Sequence, residues 1–432
     1  MNSIRNCLNT KWRLPSYVAL SKGLGLGNIG LPCLFCSFKQ IGKTWVPTLI
    51  TAGFIGVLGL AISRIYRKAT GSEAALPTTK ALSAVASWDL EGLAGPVEPE
   101  KAWLNADGRE NRIRTGPDAI KRKLTKELAY AKEQKDIEED KGFAYQPATG
   151  DIQGRDRTSP TFERHNVLGR DVGICHFIGK RAEMEDEHLA TSFDLKVGGE
   201  VYPVSLFGVF DGHSGGQASA YVRDNLQKKL VEMLIRFCPN ELTNEGIWNA
   251  LKLTFVGLNK DLAHPRAGTT ATVSMILDGK LWTANVGDSR TILDDATQLS
   301  EDAKPNDSRY RQGIEDRGGI VTNRWNDAPR INRVLAVGRA IGDHLIRGVD
   351  DNSLRPVSAR PKITMIPLSE IEPGTHLILA CDGIYDVAST RQVAQGVKGD
   401  EGASTMQLAQ NIVHSAYMAG SKDNLSALVV KL

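Results

Sequence analysis

Residues 165–432 of this 432-residue chain predict an α+β fold in which antiparallel sheets carry helices on their outer sides. Three observations lead there. Apolar runs of strand length, such as GRDVGICHF and YPVSLFGVF, alternate or continue unbroken and are bounded by turn residues. In ATVSMILDGKLWTANVGDSRTILDD, Asp278 and Gly279 separate two such runs, which is a hairpin signature. The strands come in meanders while the helical stretches are grouped, which points to antiparallel sheets with helices outside them rather than to alternating βαβ units.

Taken in order, the chain opens with a basic region, 1–69. Nine of the 53 basic residues precede Glu73, the first acidic one, leaving 44 against 50 acids for the rest. Within it, 45–63 (WVPTLITAGFIGVLGLAIS) has 19 residues and no charge, bounded by Lys43 and by Arg64, Arg67 and Lys68. That length and those flanks predict a membrane segment, either a single pass or, with the weaker apolar stretch 23–38, a hairpin anchor. The basic flank favours a cytosol-like side for residues 70–432. An acid-free basic start also fits a transit peptide, which would put the protein at the mitochondrial inner membrane or matrix.

Residues 70–164, rich in Ala, Pro, Gly and charge, read as a linker. One helix is predicted in it over 118–139, from good helix formers with interleaved charge, as a solvated spacer. Beyond 165, the stretch 215–237 sets Ala220, Val222, Leu226, Leu230, Leu234 and Phe237 near helical spacing.

Several function classes drop out. The body lacks the clustered Lys and Arg with stacking aromatics that a nucleic-acid surface needs, so no nucleic-acid partner is expected. Six cysteines are too few and too unevenly spaced for a disulfide framework, and the Cys33/Cys36 pair has no second pair to complete a zinc site. Gly25, Gly27 and Gly30 satisfy GxGxxG, but no strand precedes them and no acid lies about 20 residues on.

The chemistry concentrates where apolar runs end. Asp211 closes SLFGVF, Asp382 closes HLILAC, Asp288 comes after LWTANVG, and Asp423 precedes the terminal run LSALVV. Carboxylates brought together at strand ends raise one another's pKa unless cations neutralise them. Oxygen ligands select Mg2+ or Mn2+ over zinc. A pair of such ions activates water for phosphate-ester hydrolysis. His213, two residues after Asp211 on a glycine-rich turn, is placed to protonate a leaving alkoxide. A competing reading starts from CHFIGKR, where Cys175 and Arg181 have the C-x5-R spacing of thiol phosphatases. It lacks the glycine three residues after the cysteine and the preceding histidine.

GKRAEMEDEH, FGVFDGHSGG, GTTATV, NVGDSR, LAVGRAIGDH, LACDGIYDV and SKDNLSALVV resemble, in this order, the motifs of the metal-dependent PP2C (PPM) serine/threonine protein phosphatases. The resemblance covers about 165–432. It implies a four-layer α-β-β-α sandwich with two central antiparallel sheets, and two Mg2+ or Mn2+ ions with a third, weaker site. Asp211 would bridge two ions, the Gly212 carbonyl would bind one, and Asp382 and Asp423 the other. Glu185 and Asp186 would act through metal-bound waters, and Asp288 and Asp386, with Asp382, would form the third site. Arg181 matches the arginine that grips the substrate phosphate, and His213 the general acid.

The implied function is a membrane-tethered phosphatase that hydrolyses phosphoserine and phosphothreonine in proteins by attack of a metal-bridging hydroxide. The alternative is a pseudophosphatase that serves as a membrane-recruited interaction module. Ser214 stands where the family commonly has glycine, and Gly338 where it has serine. The segment 321–333, at the place of the family's substrate-contacting flap, is short.

Overall fold

The computed structural model describes residues 37–41, 44–48, 117–134, 138–154, 157–323 and 328–432. In the N-terminal unit, β1 (Ser37–Ile41) and β2 (Thr44–Thr48) pair as an antiparallel hairpin. The predicted membrane segment overlaps it only at 45–48, which are extended. The remainder of that segment and the Cys33/Cys36 pair lie outside the described residues. Among the described residues no helix is long and apolar enough to cross a membrane.

The second unit begins with α1 (Pro117–Gln134), then β3 (Thr161–Val167), β4 (Arg170–Phe177), β5 (Glu187–Val197), β6 (Glu200–Phe210) and β7 (Gly212–His213). Next come α2 (Gln217–Phe237), α3 (Asn244–Asp261), β8 (Gly268–Thr269), β9 (Ala271–Leu277), β10 (Lys280–Val286) and β11 (Arg290–Leu293). The chain continues through α4 (Ser308–Glu315), β12 (Val321–Thr322), β13 (Arg330–Ile331), β14 (Ile341–Gly342), β15 (Lys362–Pro367) and β16 (His376–Ala380). It ends with α5 (Asp382–Tyr385), α6 (Thr390–Gly399), α7 (Thr405–Met418) and β17 (Leu425–Lys431).

Two five-stranded sheets dominate, in the orders β15-β10-β9-β6-β5 and β11-β16-β17-β4-β3. Each neighbouring pair is antiparallel. The expected antiparallel α+β architecture is therefore present. The predicted hairpin is the β9–β10 turn, where Asp278 and Gly279 both take positive φ (51° and 67°). Mirror-image turns of this kind match the strand twist.

Strand β6 explains the layering. Val204, Leu206 and Phe210 join the core shared with α2 and α3, while Phe207 and Val209 join the core shared with the second sheet. A strand with both faces covered is apolar at most positions on both sides, which is why SLFGVF does not alternate. Strand β9 divides the same way, but its inter-sheet face carries Thr272, whose hydroxyl bonds that of Thr291 on β11 at 2.6 Å. The second sheet is covered by α6 and α7, both opened by capping boxes, Ser389 with Gln392 and Ser404 with Gln407. On α2, Val222, Leu226, Leu230 and Leu234 are buried as the spacing predicts, whereas Ala220 is not.

The helix expected to be a solvated spacer behaves differently. Ile120 and Leu124 of α1 are 1% and 4% exposed within the core of α2 and α3, and Glu127 pairs with Lys362 at the start of β15. Four-residue spacing puts both apolar side chains on one helical face, and that face has found a partner. Downstream, Phe143 is buried in the other core. The described part of 117–154 is thus packed against the body.

Candidate active site

The functional residues lie where strands of both sheets end. Asp211 comes directly after β6, and its backbone N–H donates to Thr270 Oγ1 while its carbonyl accepts from Thr270 N–H at 2.9 Å. Its carboxyl is pushed well above the usual range by burial and by the nearby charges of Asp382, Asp186 and Asp288. Asp382, opening α5 after β16, is raised in the same way by burial, Asp288 and Asp386. Asp186 is 4% exposed and likewise raised, chiefly by burial, although Ser426 Oγ donates to its Oδ2 at 2.7 Å. The other oxygen of Asp186, and Oδ1 of Asp288, are buried without a hydrogen-bond partner.

These observations test whether a metal suits the residues present. Buried carboxylates that repel one another and leave oxygens unpartnered are stabilised by a hard divalent cation. The donor chemistry fits Mg2+ or Mn2+. Among the described residues, however, no three His, Cys, Asp or Glu side chains stand in an arrangement that could by itself hold a metal ion. Two of the expected ligands face the protein's own cations. Arg181 Nη2 donates to Asp423 Oδ2 at 2.5 Å, and Lys304 Nζ to Asp288 Oδ2 at 2.5 Å.

Close packing shapes the same region. A Cβ on Gly212 would lie 2.3 Å from the Glu185 carbonyl oxygen, and one on Gly383 would lie 2.0 Å from that of Asn424. Asn424 accepts from Glu185 N–H and donates to the carbonyls of Ile178 and Glu183, so it holds the GKRAEMED loop in place. The Glu185 side chain accepts from Gly215 N–H at 2.6 Å. Ser214 has φ 60°, in the left-handed region that glycine adopts without strain. Gly338 N–H donates to the Ala303 carbonyl, with room so limited that a Cβ would sit 3.0 Å from that oxygen.

His213 lies on β7, in a small sheet of order β14-β8-β7. That sheet brings Asp343, just after β14, to His213, and the two bond through Nε2 and Oδ2 at 2.9 Å. Burial alone would lower the imidazole pKa, but Asp343 reverses this and the net shift is upward. A Cβ on Gly268 of β8 would come within 2.2 Å of Asp343 Oδ2 and 2.3 Å of His213 Nε2, so only glycine leaves room for the pair.

The expected site residues Arg181, Glu185, Asp186, Asp211, Gly212, His213, Asp288, Asp382, Asp386 and Asp423 gather in this region. Asp386 lies at its edge, its side chain 60% exposed, with Lys304 at 3.9 Å. Cys175 is elsewhere. It sits in the middle of β4 opposite Phe162 and Ala427, fully buried, and burial pushes its thiol up to about 12. A thiol so hard to ionise is no nucleophile. Asp343, Lys304 and Asn424 are not among the residues expected from sequence. Asp343 stands inside LAVGRAIGDH and could have been found from that motif, whereas nothing local marks Lys304. The short flap segment contains the β12–β13 pair, with 324–327 outside the described residues.

Mutually repelling carboxylates at the strand ends of a two-sheet α+β body are the chemistry that a hard divalent cation suits. The family model described as Protein phosphatase 2C matches residues 170–425, and the chain belongs to that family of serine/threonine phosphatases. Among curated proteins it is similar to "Probable protein phosphatase 2C 76" of Arabidopsis thaliana, 32% identical over 60% of this chain and 58% of the relative. It is also similar to "Probable protein phosphatase 2C member 13, mitochondrial" of Oryza sativa subsp. japonica, 34% identical over 60% of this chain and 67% of the relative. Among solved structures, a C. elegans sex determining protein superposes with a TM-score of 0.50 at 27% identity, over 60% of this chain and 64% of that one.

Proposed function

We propose that this chain hydrolyses phosphoserine and phosphothreonine in proteins, with Mg2+ or Mn2+ held at the acidic centre. The observation that carries this reading is the convergence of buried Asp186 with half-buried Asp211 and Asp382, whose raised carboxyls call for a cation. Asp211, the Gly212 carbonyl, Asp382 and Asp423 would hold two ions, with Glu185 and Asp186 acting through water. Asp288 and Asp386, with Asp382, would hold a weaker third. Bound there, such ions supply an activated water and a Lewis-acid hold on the phosphoryl group.

The chain's own residues supply the rest. Arg181 is half exposed at the rim, tied to Asp423, and presents a guanidinium whose fork suits phosphoryl oxygens. Asp343 accepts from His213 Nε2 and its charge favours the protonated imidazole, which leaves Nδ1–H as the proton available to the departing serine or threonine oxygen. No protein nucleophile is required.

The test is Mn2+-dependent turnover of a phosphothreonine peptide by the full chain, abolished in Asp211→Asn. Absence of turnover with every divalent metal would favour the pseudophosphatase instead. For location, we propose that the uncharged segment 45–63 with its basic flanks anchors the protein to a membrane. The word mitochondrial in the rice relative's name supports that organelle. A fluorescent fusion of residues 1–75 that stays diffuse in the cytosol would refute the anchor.

A further inference from the structure

Residues 138–154 precede the stretch matched to the family, yet they grip the turn that carries Asp386. Glu138 Oε2 accepts from Thr390 N–H at 2.8 Å and from Arg290 Nη1 at 2.9 Å. Arg290, 8% exposed, also donates to both carboxylate oxygens of Asp302, at 3.1 and 2.7 Å, and lies 4.4 Å from the centroid of the Tyr385 ring. Lys141 Nζ donates to the Tyr385 carbonyl, and Asp140 Oδ1 accepts from Ser389 Oγ at 2.8 Å. Gln392, the capping-box residue of α6, bonds the Lys141 N–H and the Lys141 and Phe143 carbonyls. Asp386 therefore sits in a short turn whose two sides, Tyr385 and Ser389–Thr390, are both tied to this upstream segment.

We propose that residues 138–145 act as a strap that sets the position of Asp386, and with it the affinity of the weaker metal site, with Glu138 as the positioning residue. The inference rests on the reading of Asp288, Asp382 and Asp386 as that site. Glu138 touches no expected ligand and acts through Thr390 and Arg290. Hydrogen bonds made directly to ligating groups are worth roughly 10- to 100-fold in metal affinity, and Glu138, one contact further out through the backbone that carries Asp386, falls at the lower end of that range. The distal end of the strap is anchored independently, by Tyr145 Oη on Asp400 Oδ2 at 3.2 Å. That separation allows loss of strap anchoring to be distinguished from loss of positioning.

The experiment uses the full chain and two readouts, calorimetric Mn2+ titration and the Mn2+ dependence of phosphothreonine-peptide turnover. The weak binding step is identified by its disappearance in Asp386→Ala. Glu138→Ala is expected to weaken that step about tenfold and to leave kcat at saturating Mn2+ within about twofold, while Glu138→Gln, which keeps an acceptor for Thr390, recovers part of the affinity. Tyr145→Phe is expected to lower the unfolding temperature without moving the Mn2+ isotherm. An unchanged weak step in Glu138→Ala, or an equal weakening in Tyr145→Phe, would overturn the strap. If the wild-type chain neither binds Mn2+ nor turns over substrate, the proposed function fails and this inference falls with it. Wild-type binding and turnover with a Glu138-independent isotherm sinks the strap alone.

Discussion

Replacing Asp343 by asparagine isolates the charge that acts on His213. Asn is the right substitute because the residue has φ 56°, a left-handed conformation that asparagine tolerates, and because it keeps an acceptor oxygen. The pair is short, 2.9 Å, and Asp343 is 5% exposed, so solvent screens it little. Hydrogen bonds to charged groups contribute roughly 1.5–3 kcal/mol, and losing the charge while keeping the acceptor removes on the order of 1–2 kcal/mol. If that energy maintains a protonated imidazole for the leaving group, turnover falls about tenfold, one decade per about 1.4 kcal/mol. The assay compares a phosphothreonine peptide, whose alkoxide must be protonated, with an aryl phosphate whose phenolate leaves unaided. The peptide reaction is expected to fall about tenfold and the aryl reaction less than about threefold. An equal fall on both substrates, or none on the peptide, refutes the role. Stability gives a second reading with a definite sign. Because the folded imidazole is raised, the pair's contribution is complete below the unfolded value of about 6.5 and is lost as pH rises through the folded one. The wild type should therefore exceed Asp343→Asn in Tm most between about pH 5 and 6.5, with the gap closing at alkaline pH.

Other residues of the site and core set further expectations. Without metal, the raised carboxyl of Asp211 makes the folded chain bind more protons than the unfolded one, so Tm should fall as pH rises from about 4 toward neutrality. Asp211→Asn should then raise the metal-free Tm while abolishing turnover, and unchanged Tm would contradict the repulsion. Mn2+ at about 100 times its dissociation constant should stabilise the wild type by about 2.7 kcal/mol, measured by denaturant midpoint, and chelation should remove the gain. Cys175→Ser should keep metal-dependent activity while costing about 1–3 kcal/mol, because it places a hydroxyl at a fully buried strand position. Phe207→Ala should open a cavity between the two sheets and cost about 3–5 kcal/mol, with the loss appearing in the denaturant midpoint.

The strands and the turns beside the metal-site carboxylates were legible because their signals are local. Unbroken apolar runs mark strands covered on both faces, and an aspartate closing such a run marks a strand end, so Asp211, Asp382 and Asp288 were recognisable one by one. The hairpin at Asp278 and Gly279 was legible for the same reason, since two adjacent residues carry its geometry. The helix over 117–134 was half legible. Its composition marked a helix, but the burial of Ile120 and Leu124 depended on a partner surface built from α2 and α3.

Pairings between distant segments were decided only in three dimensions. Asp343 reaches His213 across 130 residues because β14, β8 and β7 align and Gly268 leaves space between them. Lys304 meets Asp288, and Glu138 meets Arg290 across 152 residues, through contacts that no periodicity encodes. Arg181 was assigned to a substrate phosphate from its motif, and the fold adds that it is held in place by Asp423. Periodic burial and turn chemistry act over a few residues and so leave a trace in the order of amino acids. The electrostatics of a buried site depend on which groups share a low-dielectric volume, and that is set only when the sheets close upon one another.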